Sequence, residues 1–336
     1  MLLKGVFVGV TLEKYDWYKE NTFHHRDFSD LGCLLGLKQE SRKTISVCLP
    51  SMNEASTIGK ILAIIRRDLM EKVRLVDQLC VVDGGSEDET REIAREMGAE
   101  VYRQDEILPG LFQPMGKGDA LWRSLHILTG DIVVWIDSDI RNFKPRFIYA
   151  LIGPILEREE IQFVKAFYQR PIKSEGRLLA TGGGRVTELV ARPLLSLFYP
   201  ELTALIQPLS GEYAGERKLL ENIPFFSGYG VEIVMLIDIY KRYGMKAIGQ
   251  VDLVQRIHRN QPIPALGRMA FQILQAVLVR LTEEQRIRLL QEYNVEMTQV
   301  DHRDGEYLLE KKSLKVEERP PIIGEPQYAE RYKAGA

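Results

Sequence analysis

The chain changes character at Thr44. Beyond it, short apolar runs of strand length alternate with stretches whose apolar residues recur every three to four positions, the spacing of one helical face. Ile45 to Leu49 is such a run and ends at Pro50; Asn53 is then placed to cap a segment carrying Ile58, Ile61, Leu62, Ile65 and Leu69 at helical spacing. The unit recurs at Gln78 to Asp83, followed by Gly84-Gly85 and by Ser86 and Glu89 in capping-box spacing for a helix that stops near Gly98. Ala99 to Tyr102 reads as a further strand. A loop holding Pro109, Gly110, Pro114, Gly116 and Gly118 leads into a helix ending around Thr129-Gly130. Ile132 to Ile136 is apolar throughout, as a strand buried on both faces requires. Repeated units of this kind predict an α/β fold, a Rossmann-like and mostly parallel sheet flanked by helices.

Past residue 160 the pattern loosens. A glycine run spans Thr181 to Gly184, a helix is expected from near Tyr229, and Val251, Leu253, Gln255 and Ile257 follow a period of two. Leu266 to Leu290 reads as helical, with Phe271, Leu274, Leu278 and Leu281 on one face. The expected division is an aromatic and charged arm over 1–43, an α/β domain over 44–160, a smaller part over 161–300, and a charged tail over 301–336, read as a docking arm or as partly disordered.

Composition narrows the partners. Hydrophobic residues make up 45% of the 336 and charged residues 27%, with a formal net charge of -2, so there is no basic excess of the kind a nucleic-acid binder carries. The three cysteines are scattered, which fits a reducing compartment. The longest charge-free apolar stretch, Met269 to Val279, falls short of the roughly 18 residues a membrane span needs. The reading is a cytoplasmic protein with neither nucleic-acid nor membrane partners.

In open parallel sheets ligands bind beyond the carboxyl ends of the strands, and there this chain places Asn53, Glu54, Asp83, Asp137 and Asp139. Asp137-Ser138-Asp139 follows a buried run directly, so one carboxylate can face a nucleotide while the other holds a divalent ion on a diphosphate; hard oxygen ligands suit Mg²⁺ or Mn²⁺. A bare Asp-x-Asp also occurs in ordinary turns, and its position after the strand is what gives it weight. Gly116-Lys117-Gly118 allows close backbone approach and offers a lysine to a phosphate. Thr181 to Thr187, with three glycines and Arg185, can form a second anion site, the alternative being a hinge. Arg256, His258 and Asn260 crowd the end of a strand, with Arg256 and His258 facing away from Val251, Leu253 and Ile257. Tyr229 and Glu232, three apart, share a helix face.

Together these motifs resemble the glucosyl-3-phosphoglycerate synthases, retaining glycosyltransferases of the GT-A fold with mannosyl-transferring relatives. The similarity runs over about 44 to 282 and is carried by Leu49 to Glu54, Gly116 to Trp122, Asp137 to Asp139, Thr181 to Pro193, Gly211 to Tyr213, Gly228 to Glu232 and His258 to Asn260. The resemblance implies that residues 44–160 bind the nucleotide sugar and 161–300 bind the acceptor and complete the metal site. It implies donor contacts at Pro50, Asn53, Glu54, Ser86, Lys117, Asp137 and Arg256, and sugar contacts at Leu209 and Glu232. Asp139 and His258 would ligate the metal, while Gly184, Arg185, Val186, Thr187, Tyr229 and Asn260 would hold the acceptor. Asp139, Glu232 and Lys117 would carry the chemistry. The implied donor is UDP-glucose ahead of GDP-glucose or GDP-mannose, the acceptor 3-phosphoglycerate, the product a precursor of glucosylglycerate or a related polysaccharide, and the assembly a homodimer. Ile257 precedes His258 where many relatives carry an acidic residue. Two other readings keep the fold: a sugar-phosphate nucleotidyltransferase, for which Leu49 to Glu54 lacks the glycine-rich turn, and a nucleotide-sugar sensor without turnover.

Overall fold

The computed structural model describes residues 12–170, 172–174, 177–179, 184–257, 261–303 and 306–333. Its centre is an eight-stranded sheet made of Thr22–His24 (β1), Ile45–Ser51 (β2), Gln78–Asp83 (β3), Glu100–Arg103 (β4), Ile132–Trp135 (β5), Phe163–Gln169 (β6), Tyr213–Glu216 (β7) and Ile248–Gln255 (β8). The spatial order is β1-β8-β6-β7-β5-β2-β3-β4, and every neighbouring pair is parallel except those that β7 makes with β5 and β6. Side-chain alternation along buried strands explains the two cores. Ile132 and Val134 of β5 join Ile45, Val47 and Leu49 of β2 and the helix Ile58–Ile65 in one layer, while Val133, Trp135 and Cys48 face the helices Gly116–Ile127 and Val231–Tyr243 in the other. The mostly parallel, helix-flanked sheet expected from the pattern is thus present.

Several local expectations are corrected. Asn53 does not cap a helix: it sits in the left-handed region at φ 58°, and the helix starts at Ile58. Ser86 belongs to no capping box, because the next helix begins at Thr90 and Ser86 donates to Asp83 instead. The period of two fails at the end of β8. Val254 adopts φ 71° and the register shifts between Asp252 and Gln255, so Arg256 is buried and Ile257 is 37% exposed, the reverse of strict alternation. On the helix Ile263–Glu283 the buried face is Ile273, Ala276, Val277, Arg280 and Leu281, with Leu274 exposed; Arg280 is drawn inward by Asp238, at 2.7 and 2.8 Å.

The described segments on either side of the central units are built into the body. β1 lies parallel to β8 at the sheet edge, and the Trp17 indole N–H donates to the carbonyls of Met245 and Ile248. Among the described residues the charged C-terminal stretch is a hairpin of Glu296–Arg303 with Glu306–Ser313, a short strand Glu318–Arg319 on Phe225–Phe226, and a helix Pro326–Lys333. Arg319 is fully buried, its Nε 2.6 Å from Asp119 Oδ1, and the Trp122 indole donates to the Pro320 carbonyl at 2.7 Å. Among the described residues no helix is long and apolar enough to cross a membrane.

Candidate active site

A cleft of about 680 Å³ opens over the carboxyl ends of β2, β3 and β5. Its first wall starts from the turn after β2. Asn53 receives no ligand-facing role from its geometry: its N–H donates to Ser86 Oγ at 2.9 Å and its Oδ1 accepts from the Glu87 N–H at 2.8 Å. Ser86, buried, donates in turn to Asp83. These two residues hold the turn in shape, and it is Pro50 and Glu54 that line the cleft. Burial, then the nearby Asp139 carboxylate, raises the pKa of Glu54.

The floor is ionic. Lys117 enters from the first turn of the helix Gly116–Ile127, and the glycines around it have a steric cause: a Cβ on Gly118 would lie 1.8 Å from the Phe226 carbonyl oxygen, and Gly116 has φ 65° against Gly228. Lys117 Nζ stands 2.6 Å from Asp137 Oδ1 and 2.9 Å from Glu232 Oε1. Gly211 is pressed against the same carboxylate, so that a Cβ there would meet Asp137 Oδ2 at 2.0 Å. Released by the bulge in β8, Arg256 bridges Asp137 Oδ2 at 2.8 Å and Asp139 Oδ1 at 2.7 Å. Its Nε also lies 2.9 Å from Glu212 Oε1, a charge contact whose direction falls short of a hydrogen bond. Glu212 is fully buried and accepts from the Tyr168 hydroxyl.

The charges sort themselves by these partners. Burial pushes both aspartates toward the neutral form. At Asp137, Lys117 and Arg256 outweigh it and hold the carboxyl well below the usual range. At Asp139 burial wins over Arg256, and Asp137 adds to it, so its pKa is raised. Burial opposes the charge on Lys117 as well, but Asp137 and Glu232 keep it well above the ordinary lysine value.

The opposite wall carries Gly184, Arg185, Val186 and Thr187 at the start of the π-helical turn Thr187–Ala191, where Gly184 has φ 82° and its carbonyl accepts from the Glu188 N–H. The Arg185 guanidinium donates to the Gln261 carbonyl at 2.9 Å. Leu209, Tyr229 and Glu232 line the space between the walls, and the Tyr229 N–H donates to Gln272 Oε1 at 3.1 Å. His258, Asn260, Thr181, Gly182 and Gly183 lie outside the described residues. The pattern did not single out Gln104, Met269 and Gln272, which also line the cleft, nor Tyr168 and Lys165 beneath it; β6, with a buried lysine in mid-strand, carries no readable apolar run.

Two strand-end carboxylates bridged by an arginine, a lysine paired with one of them, and a glycine-arginine turn across one cleft on a Rossmann-like sheet are the arrangement of a glycosyltransferase of the GT-A fold. The family model of glycosyl transferase family 2 matches residues 46–230. A glucosyl-3-phosphoglycerate synthase of Petrotoga mobilis is 49% identical, over 93% of this chain and 96% of its own length. The crystal structure of mannosyl-3-phosphoglycerate synthase from Rubrobacter xylanophilus superposes with a TM-score of 0.84 at 40% identity, covering 92% of this chain and 97% of that one. That of glucosyl-3-phosphoglycerate synthase from Mycobacterium tuberculosis with Mn²⁺, UDP and glucosyl-3-phosphoglycerate gives 0.77 at 42%, covering 90% and 98%. The chain belongs to the glucosyl-3-phosphoglycerate synthase family.

Proposed function

We propose that this protein moves glucose from UDP-glucose to the free hydroxyl of 3-phosphoglycerate with retention at the anomeric carbon, in the presence of Mg²⁺ or Mn²⁺. The observation that supports the reading is that one cleft joins Lys117, Asp137 and Glu232 to Gly184–Thr187, so that a donor diphosphate at the first group and an acceptor phosphate at the second would flank one sugar. The Mycobacterium tuberculosis enzyme has been crystallised with Mn²⁺, UDP-glucose and phosphoglyceric acid together, and in another form with Mg²⁺ and UDP.

A divalent ion suits the residues present. Asp137 and Asp139 face each other closely enough that one guanidinium bridges both, so the pair already balances cationic charge. Asp139 would hold the ion, with His258 as its second protein ligand, and a bound cation supplies charge neutralisation for the departing diphosphate. Lys117 meets the same diphosphate. Glu232 is engaged by Lys117 and so orients the sugar rather than attacking it. With Glu232 held by Lys117, the acceptor hydroxyl approaches on the face the diphosphate leaves, and a diphosphate oxygen takes its proton. Arg185 and the amides around it fix the acceptor phosphate. On this reading residues 44–160 serve the donor and 161–300 the acceptor, and the working unit is a cytoplasmic homodimer.

The test is to incubate the purified protein with UDP-glucose, GDP-glucose and GDP-mannose, 3-phosphoglycerate and either metal, and to identify the product by mass and anomeric coupling. An α-linked glucosyl product from UDP-glucose supports the reading. Mannosyl transfer in preference, binding without turnover, or, in a parallel incubation with UTP and glucose 1-phosphate, release of pyrophosphate overturns it.

A further inference from the structure

With the diphosphate on Lys117 and the acceptor at Gly184–Thr187, the donor base is left the far end of the cleft, where β2 and β3 end and the loop before the helix Gly116–Ile127 closes over them. Ser51, Gly84, Gln104, Pro114 and Ala120 line that end. Gln104 follows β4 in a 3-10 turn and is only 4% exposed.

Chemistry settles which way its amide points. The side-chain nitrogen lies 2.7 Å from Asp119 Oδ2 and 3.3 Å from the Gly116 carbonyl oxygen, and both partners only accept. The NH₂ group must face them, so Oε1 is turned to the Gly84 side. Among the described residues nothing donates to Oε1, and it is not one of the solvent-sealed side-chain atoms left without a partner, so it opens onto the cleft. Oε1 faces Gly84, whose missing side chain leaves room for one atom there: an added Cβ would stand 3.5 Å from Oε1, in ordinary contact. Asp119 cannot yield, because Arg123 Nε at 2.7 Å, Arg319 Nε at 2.6 Å and the Met115 N–H at 3.3 Å hold it in a fully buried position.

We propose that Gln104 selects the donor base, its Oε1 accepting the N3–H of uracil; this rests on the reading that the donor is a UDP sugar. A free glutamine can rotate its amide and serve donors and acceptors alike. This one cannot, since rotation would set Oε1 against the Asp119 carboxylate. A locked acceptor in a shielded pocket rejects cytosine, whose N3 is itself an acceptor, through the cost of two lone pairs facing each other without water.

The test is calorimetric binding of UDP, CDP, ADP and GDP with Mn²⁺ to the wild type and to Gln104→Met, which keeps the volume and removes the oxygen, with a thermal melt of each. The wild type is expected to bind UDP more tightly than CDP by at least about tenfold, and Gln104→Met to reduce that ratio to within about threefold. A UDP-over-CDP ratio that survives the substitution overturns the inference while leaving the UDP-sugar reading intact. A wild type that prefers ADP or GDP, or binds none of the four, overturns the reading itself. The ratio is internal to each protein, so a loss of stability does not imitate it. Independently of any variant, the N3 imino proton of bound, ¹⁵N-labelled UDP should be observable by NMR and slow to exchange with water; rapid exchange overturns the inference.

Discussion

The wall of the cleft proposed for the donor stands on the ends of strands buried on both faces, whereas the wall proposed for the acceptor is carried by a π-helical turn and the start of a long helix. Asp137 follows β5, whose four residues are wholly buried, and it is gripped by Lys117, Arg256 and the close approach of Gly211. Among the described residues Arg185 makes one hydrogen bond, to a backbone carbonyl. The difference teaches that the two halves are set up for different demands. Charge stabilisation of a leaving diphosphate depends on groups that do not reorganise, so it belongs on the rigid wall. A small acceptor that enters and leaves each turnover is better served by a cradle with fewer internal commitments.

Removing one group from each wall tests that division, and the largest effect is expected at Asp139. Asp139→Ala should lower transfer by about a thousandfold or more and abolish its response to added Mn²⁺; full activity in the presence of a chelator would break the donor-wall account. Gly211→Ala should cost about a hundredfold in kcat/KM, since the new Cβ displaces Asp137 by an ångström or so. An undisturbed rate would mean that the floor is softer than its contacts suggest. At the acceptor wall, Arg185→Ala should raise KM for 3-phosphoglycerate by about ten- to a hundredfold and leave KM for the donor near its original value. The reverse split would move the acceptor elsewhere.

The smallest effect concerns the support beneath the floor. Lys165 donates to the Ser210 carbonyl at 2.7 Å and lies over the Tyr213 ring, and burial lowers its pKa to about 7. A base whose folded pKa lies below its unfolded value costs stability while both states are charged. The cost is full below pH 7 and is relieved as pH rises toward the ordinary lysine value, because the unfolded chain then binds the extra proton. Urea unfolding should therefore show a larger gain in stability between pH 7 and 9 for the wild type than for Lys165→Met. Equal gains would exclude Lys165 as the titrating group.

How far the cleft could be read in advance follows the same division. Asp137 and Asp139 were legible because an unbroken apolar run announced the strand that ends at them, and Lys117 because two glycines flank it. Ser86 and Asn53 were visible for the wrong reason: local spacing suggested helix caps, and the fold uses both to tie the turn after β2 to the turn after β3. Arg256 was placed near the site by its position at a strand end, though with the wrong facing. Only the bulge at Val254, which no alternation pattern encodes, turns it inward. Gln104 and Tyr168 have no local signature, because their roles depend on partners 15 and 44 residues away in sequence.

By itself the sequence determined the strand and helix units, the parallel α/β class, and the carboxylates and lysine at strand ends, because those features are written in short-range periodicity and backbone preference. The tertiary structure alone decided which strands neighbour one another, that the charged C-terminal stretch buries Arg319 against Asp119, and how the ionic floor is shared among Lys117, Arg256, Glu212 and two aspartates. Burial energy and the pairing of buried charges depend on residues brought together from distant parts of the chain, and no window of neighbouring residues contains that information.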